Sequence, residues 1–246
     1  MTIQSTSSGM MDINSTLIQE VMMVAEGIIS ANRVIDAKLL YNEVLKRLSM
    51  EPKALLSIIN FLLAQRILVE GSKMTKELVL SNLHRKNIYD YIRNNRGVKF
   101  SEIRDAYEGT TGSSGQLIWH LQLLLKFNYI KKLKFKRFTI FLPLEMDETQ
   151  GLLTFFARDP LNQKILTLLH TQGPLKRTDL FEILDASREK IHYRVKVLLE
   201  MNLISPLGGS DKEICLNPGN AAYLSDILEH FNKDGDQKQN YSELDL

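Results

Sequence analysis

The sequence predicts a mainly α-helical chain with small β-hairpin wings, arranged as tandem winged-helix modules. Two observations predict it. The first is a repeated order of elements: a short extended piece, two helices joined by a turn, and an extended return, three times along 246 residues. Ile35, Phe100 and Leu175 each precede the first helix of the turn. Ile67, Ile130 and Ile204 each follow the second, at separations of 32, 30 and 29 residues. The second observation is the middle copy, FSEIRDAYEGTTGSSGQLIWHLQLLLKFNYIKKLKFKRFTIFLP, which closes with a hairpin studded with lysine. A strand, a helix-turn-helix and a basic hairpin in this order build a winged helix, and such modules mostly bind nucleic acid.

The elements follow in order. The first dozen residues are rich in Ser, Thr and Gly, and a mobile end is expected there. Leu17, Val21, Val24 and Ile28 recur at helical spacing, predicting a helix from about Asn14 to Ser30 with Asn14 or Ser15 as its cap. Val34-Ile35 reads as extended. Asp36 caps a helix over Ala37–Leu48, with Leu39, Leu40, Val44, Leu45 and Leu48 inward. Pro52 suits a first helical turn and opens a helix reaching Gln65. Ile67–Val69 leaves extended, and Gly71-Ser72 breaks the run before any second strand.

The middle copy starts with a helix over Leu83–Asn95, with Ile88, Tyr91 and Ile92 inward, ended by Gly97. Val98–Phe100 is a short strand and Ser101 caps a helix over Glu102–Tyr107. GTTGSSG is a loop that delivers Ser113 or Ser114 as the cap of a helix over Gln116–Phe127. Leu117, Leu121 and Leu124 face its core. After Asn128, Ile130–Phe135 and Phe138–Leu142 alternate across Lys136-Arg137 as a hairpin. Leu133 and Phe135 point to one side, and Lys132, Lys134 and Lys136 to the other. LEMDETQG reads as a linker. The third copy has helices over Leu161–Thr171, Lys176–Leu184 and Ser187–Met201. Leu203-Ile204 and Glu213–Leu216 flank a short wing loop over Pro206–Lys212. A last helix runs from Asn220 to about Phe231, and the polar tail after Lys233 is expected to be disordered. The domain map is residues 13–80, a helical or winged-helix-like module; 81–145, a central winged helix; 152–232, a C-terminal winged helix; and 233–246, an acidic tail.

Composition narrows the function. A hydrophobic content of 44% is ordinary for a folded protein and excludes global disorder. Net charge is only +2, but it is unevenly spread. Residues 81–143 hold twelve basic and four acidic side chains, whereas residues 1–80 are balanced at eight of each. The middle segment has the field expected of a polyanion binder. Cys215 is the only cysteine, which excludes an intramolecular disulfide or a multi-cysteine metal site and fits a cytoplasmic location. The N-terminus lacks a basic region followed by an apolar one, so no signal peptide is expected. The longest apolar region, Leu17 to Ile29, is interrupted by Gln19, Glu20 and Glu26, and no membrane insertion is expected.

No enzymatic motif is present: GxGxxG, a P-loop, GxSxG and HExxH are all absent. The five histidines form no i,i+4 pair, and no cofactor or metal is expected. The chemistry left is nucleic-acid contact. Ser113 and Ser114 at a helix start suit phosphate contact through hydroxyls and free N–H groups. Gln116 and Gln122 suit adenine edges. Trp119 and His120 either join this surface or pack against a neighbouring element. Lys126, Lys131, Lys132, Lys134, Lys136 and Arg137 suit phosphates, which carry affinity and not sequence choice. In the third copy Arg188, Tyr193 and Lys196, with His192, form a weaker basic and aromatic set beside Glu189. The first copy offers Lys53, Ser57 and Asn60 among many leucines, and reads as a packing or dimerisation module. Cys215 reads as a small buried apolar residue.

Asn95-Arg96-Gly97-Val98, His120-Leu121-Gln122-Leu123-Leu124 and Tyr129-Ile130 carry a resemblance. The stretch from Ile88 to Pro143 resembles archaeal winged helix-turn-helix transcriptional regulators of the broad ArsR/MarR-like group. The stretch LLTLLHTQGPLKRTDLFEILDASREKIHYRVKVLLEMNLI looks like a second member, and the first copy resembles them less. The resemblance implies a homodimeric regulator that binds double-stranded DNA. The chain departs from that group in the long GTTGSSG turn and in having no cysteine metal sensor. Tandem winged helices also build protein-interaction scaffolds in endosomal-sorting complexes and transcription machinery, and the neutral first module and acidic tail fit that second reading. RNA binding is a third.

Overall fold

The computed structural model describes residues 13–107, 114–135, 138–208 and 210–229. The expected mobile start, the Ser113 cap, Lys136-Arg137 and the tail after Lys233 lie outside these residues. The chain divides into two compact units, one of residues 1–90 with 104–130 and the other of 91–103 with 131–246. It is mainly helical, with two small antiparallel sheets, an architecture compatible with winged helices. Among the described residues no helix is long and apolar enough to cross a membrane.

In the first unit α1 (Thr16–Ser30) buries Ile18, Val21, Met22, Val24, Ala25 and Ile28. The predicted stripe is therefore rotated, because Leu17 is half-exposed and Ile18 takes the inward place. Helix α2 (Ala37–Arg47) starts where expected, with the Asp36 carboxylate accepting from Leu39 N–H at 2.7 Å. Only Leu40 and Val44 of its five predicted core residues are fully buried. Helix α3 (Pro52–Ala64) is capped by Glu51, which accepts from Ala54 N–H at 2.7 Å. These helices share a core that Ile67 and Leu68 complete. Ile35 N–H donates to Ser72 O and Gly71 N–H to Ile35 O, both at 2.8 Å, so the extended piece has a partner without forming a strand. A short helix that the sequence did not announce, α4 (Lys76–Leu80), follows. Helix α5 (Leu83–Asn95) begins in this unit, and α7 (Ser114–Lys126) belongs to it.

The second unit holds β1 (Val98–Lys99) and the start of α6 (Phe100–Ala106). Ser101 lies inside that helix and is not its cap; Glu102 instead accepts from Lys99 N–H at 2.6 Å. Strands β2 (Ile130–Phe135) and β3 (Phe138–Pro143) give a sheet in the order β1-β3-β2, with Val98 opposite Phe141. The predicted linker holds the start of α8 (Glu148–Ala157), which Asp147 caps by accepting from Thr149 and Gln150 N–H. Then come α9 (Pro160–Gln172), β4 (Leu175–Lys176), α10 (Arg177–Ile183) and α11 (Arg188–Glu200). Strands β5 (Ile204–Leu207) and β6 (Ser210–Leu216) pair up to Leu207 opposite Ser210, so the hairpin loop is much shorter than the Pro206–Lys212 loop expected. A 3-10 turn (Pro218–Asn220) leads into α12, residues 221–229. Cys215 is half-buried, with its Sγ 3.4 Å from Ser205 Oγ.

The three copies share one backbone device. Arg66, Asn128 and Asn202 have φ of 55°, 54° and 55°. The next N–H in each case reaches back to the same helical carbonyl: Ile67 to Leu62 O (3.0 Å), Tyr129 to Leu124 O (2.9 Å) and Leu203 to Leu198 O (3.0 Å). This is the Schellman closure of a helix. It corrects the alignment of the copies. Ile35, Val98 and Leu175 are equivalent at the start, and Leu68, Ile130 and Ile204 at the end, at separations of 33, 32 and 29 residues.

Helix α8 is seated through glycine. A Cβ on Gly151 would lie 2.6 Å from both Leu142 methyl carbons, and Leu142 is fully buried. One on Gly97, at φ 123°, would lie 2.9 Å from Leu142 and 3.2 Å from Gly151 O. Alanine at Gly151 gains up to about 1 kcal/mol of helix propensity but overpacks the core by about 1–3 kcal/mol. Gly151→Ala is expected to destabilise the protein, as read by urea denaturation. Added to Leu142→Ala it should cost at least ~1 kcal/mol less than it does alone, since the truncated side chain leaves room.

Candidate nucleic-acid interface

Each unit carries part of the predicted residue set. In the first, α7 buries Leu117, His120, Leu121 and Leu124 at helical spacing. The opposite stripe of Ile118, Trp119, Gln122 and Lys126 is therefore exposed, with Ser114 and Gln116 exposed at the helix start. Trp119 is 47% exposed, so it both packs and protrudes. One side of its indole lies against the Arg85 guanidinium, 5.3 Å from the ring centroid, and the His120 ring meets it edge-on at 5.0 Å. Cation–π contact of this kind fixes the plane of a large side chain that would otherwise swing.

Arg85 is the residue that local patterns miss. It is 4% exposed, its Nε donates to Val79 O at 2.6 Å, and no carboxylate pairs with it among the described residues. Burial holds its pKa below the ordinary arginine value. It stands on α5, 34 residues before Trp119, and no spacing rule joins the two. His120 lies beneath the exposed face, at 7% exposure, with Nδ1 lacking a partner and its ring 6.2 Å from that of His84. Burial first, and then the charges of Arg85 and His84, hold its pKa below the ordinary 6.5. It is therefore a neutral imidazole that supports the stripe from below.

In the second unit β2 alternates as expected. Lys132 and Lys134 are exposed, while Leu133 and Phe135 are half-buried and Lys131 is intermediate. The Phe135 ring meets Phe156 edge-on at 5.8 Å and packs onto the core, which holds the lysine side outward. Lys136 and Arg137 lie outside the described residues. On α11, Arg188, His192, Tyr193 and Lys196 are all exposed. Arg188 lies over Phe181 at 5.8 Å. Backbone hydrogen bonding at the helix start, and then the Ser187 hydroxyl, hold the Glu189 carboxyl below its ordinary pKa, so a negative charge persists beside Arg188. Among the described residues no group of three His, Cys, Asp or Glu side chains is placed to hold a metal.

No protein-family model matches the chain. Over 166 residues it is 26% identical to an uncharacterized HTH-type transcriptional regulator of Methanocaldococcus jannaschii. The match covers 68% of this chain and 40% of that protein, so the chain spans about two-fifths of the length of the curated relative.

The buried imidazole has a pH signature. Its folded pKa lies below 6.5, so between the two values the unfolded chain binds more protons and stability falls as pH falls. Above about 6.5 the group contributes no slope. The difference in unfolding free energy between wild type and His120→Gln, followed by urea titration across this range, is expected to shrink on acidification below about 6.5. A difference independent of pH would contradict the burial.

Proposed function

We propose that this chain is a DNA-binding transcriptional regulator of tandem winged helices, with the module of residues 81–145 as its main DNA reader. The observation that carries the reading is the alternation of β2, which puts Lys132 and Lys134 outward in the segment holding most of the excess positive charge. The name of the Methanocaldococcus relative supports it at the level of a helix-turn-helix regulator.

In this reading α7 enters the major groove. Gln116 and Gln122 meet base edges, and Trp119 sits on the same face above His120. Ser113 and Ser114 bind a phosphate at the helix start. Lys126, Lys131, Lys132, Lys134, Lys136 and Arg137 bind the backbone and supply affinity. Arg188, Tyr193 and Lys196 make a secondary contact from residues 152–232. Residues 13–80 serve homodimerisation in this reading, and Leu17, Met23 and Leu56 there are 50%, 63% and 49% exposed. The regulator belongs with the ArsR/MarR-like group in this reading and acts in the cytoplasm.

Titration of mixed-sequence duplex DNA at several salt concentrations tests the proposal. Log K should fall with log salt by about 0.9 for each neutralised phosphate, and a slope near zero would sink the reading. The double reversal Lys132→Glu and Lys134→Glu should weaken binding at least ~10-fold and flatten the slope by about two phosphates. An unchanged slope, with partner capture intact, would favour an interaction scaffold. Preference for duplex RNA in competition would favour the RNA reading.

A further inference from the structure

Trp119 is the only tryptophan in the chain, and its ring has a place on the outward face of α7 but no chemical task there. It stands three residues from Gln116 and three from Gln122, so the three side chains are neighbours on the helix surface, and all are exposed. Ile118 beside it is 46% exposed. A half-exposed indole next to an exposed isoleucine leaves apolar area in water that a contact would recover.

The surroundings indicate what makes that contact. Helix α7 carries no acidic residue, and its other exposed side chains are Ser114, Gln116, Gln122 and Lys126. Two apolar groups among polar and cationic ones suit a polyanion better than an apolar protein groove.

The ring is also held. The Arg85 guanidinium lies 5.3 Å from the indole centroid, and Arg85 is itself fixed, at 4% exposure, by its Nε donating to Val79 O at 2.6 Å. The His120 ring meets the indole edge-on at 5.0 Å. All these residues belong to the first compact unit. A side chain clamped in this way loses little freedom when it docks, so little of its contact energy goes into ordering it.

We propose that Trp119, with Arg85 as its positioning residue, reads the C5-methyl group of a thymine in the major groove. This rests on the DNA-binding reading proposed above. Gln116 and Gln122 suit the N6 and N7 edge of adenine, but neither senses the methyl group that the opposite thymine carries into the same groove. An apolar ring fixed between them does. The three side chains together select A·T pairs by two different forces, hydrogen bonding and apolar contact.

The probe is the duplex that the full chain retains from a random-sequence pool, with each thymine replaced in turn by 2′-deoxyuridine. The replacement keeps the base pair and removes only the methyl group. At one or two positions the wild-type chain should lose about 3–4-fold in affinity, the order expected for one buried methyl group. Trp119→Ala should bind thymine and deoxyuridine equally at those positions, with the salt slope of wild type. Arg85→Met should lose the discrimination likewise, and the fluorescence anisotropy of the lone indole in the free protein should drop as the ring gains motion. A wild-type chain that discriminates at no position overturns the proposal and leaves the DNA-binding reading intact. So does a Trp119→Ala chain that keeps full discrimination, and the exposed ring then falls to a protein contact. Arg85→Met with discrimination and anisotropy unchanged overturns the positioning role. Absence of salt-dependent retention of any duplex overturns the DNA-binding reading and this one together. Should Arg85→Met not fold, the comparison of wild type with Trp119→Ala decides alone.

Discussion

One backbone constraint sets where each extended return in this chain begins: the left-handed residue that closes the last helix of each pair. At Arg66, Asn128 and Asn202 the helix stops, and the next N–H turns back onto the last turn of the helix. An asparagine tolerates this conformation through its short polar side chain, whereas an arginine there is less usual. The consequence is one of register. Ile130 is buried at the exit that Asn128 fixes, and from Lys132 onward exposed lysines alternate with the half-buried Leu133 and Phe135. A slip of one residue would bury the lysines and expose Leu133 and Phe135. The cationic face of β2 is therefore decided by a residue that carries no charge.

The two hairpins show how far shared topology leaves chemistry open. Both sheets have the same strand arrangement, with a two-residue first strand paired to the last. Yet β2 reads Ile-Lys-Lys-Leu-Lys-Phe, and β5 reads Ile-Ser-Pro-Leu. The second carries no basic residue and has an irregularity between Pro206 and Leu207. The same backbone presents a charged strand once and a neutral, kinked one once.

Much of the helical layout was legible because it depends on local rules. The bounds of α5 follow from its apolar spacing, those of α2 from the Asp36 cap, and the inward face of α7 from Leu117, Leu121 and Leu124. What escaped was set by distant contacts. Helix α4 is five residues long and too short to show a period, and α8 was hidden because its acidic first turn reads as linker composition. The rotation of α1 from Leu17 to Ile18 depends on which side its neighbours occupy. At the candidate interface the polar stripe of α7 was legible, but Arg85 beneath Trp119 was not, since cation–π contact across 34 residues leaves no trace in spacing. The burial of His120 is a matter of helical angle, whereas its missing partner at Nδ1 appears only in three dimensions.

The seat of α8 differs in kind from the lysine face. Gly151 and Gly97 close on Leu142 by lacking side chains, so the contact rests on dispersion and excluded water. Forces of that kind are short-ranged and nearly indifferent to dissolved ions, while the field of exposed lysines fades within about 10 Å at moderate ionic strength. A change in salt concentration would therefore tune the outward face continuously and leave the scaffold beneath it as it was. The protein separates what osmotic conditions can adjust from what they cannot.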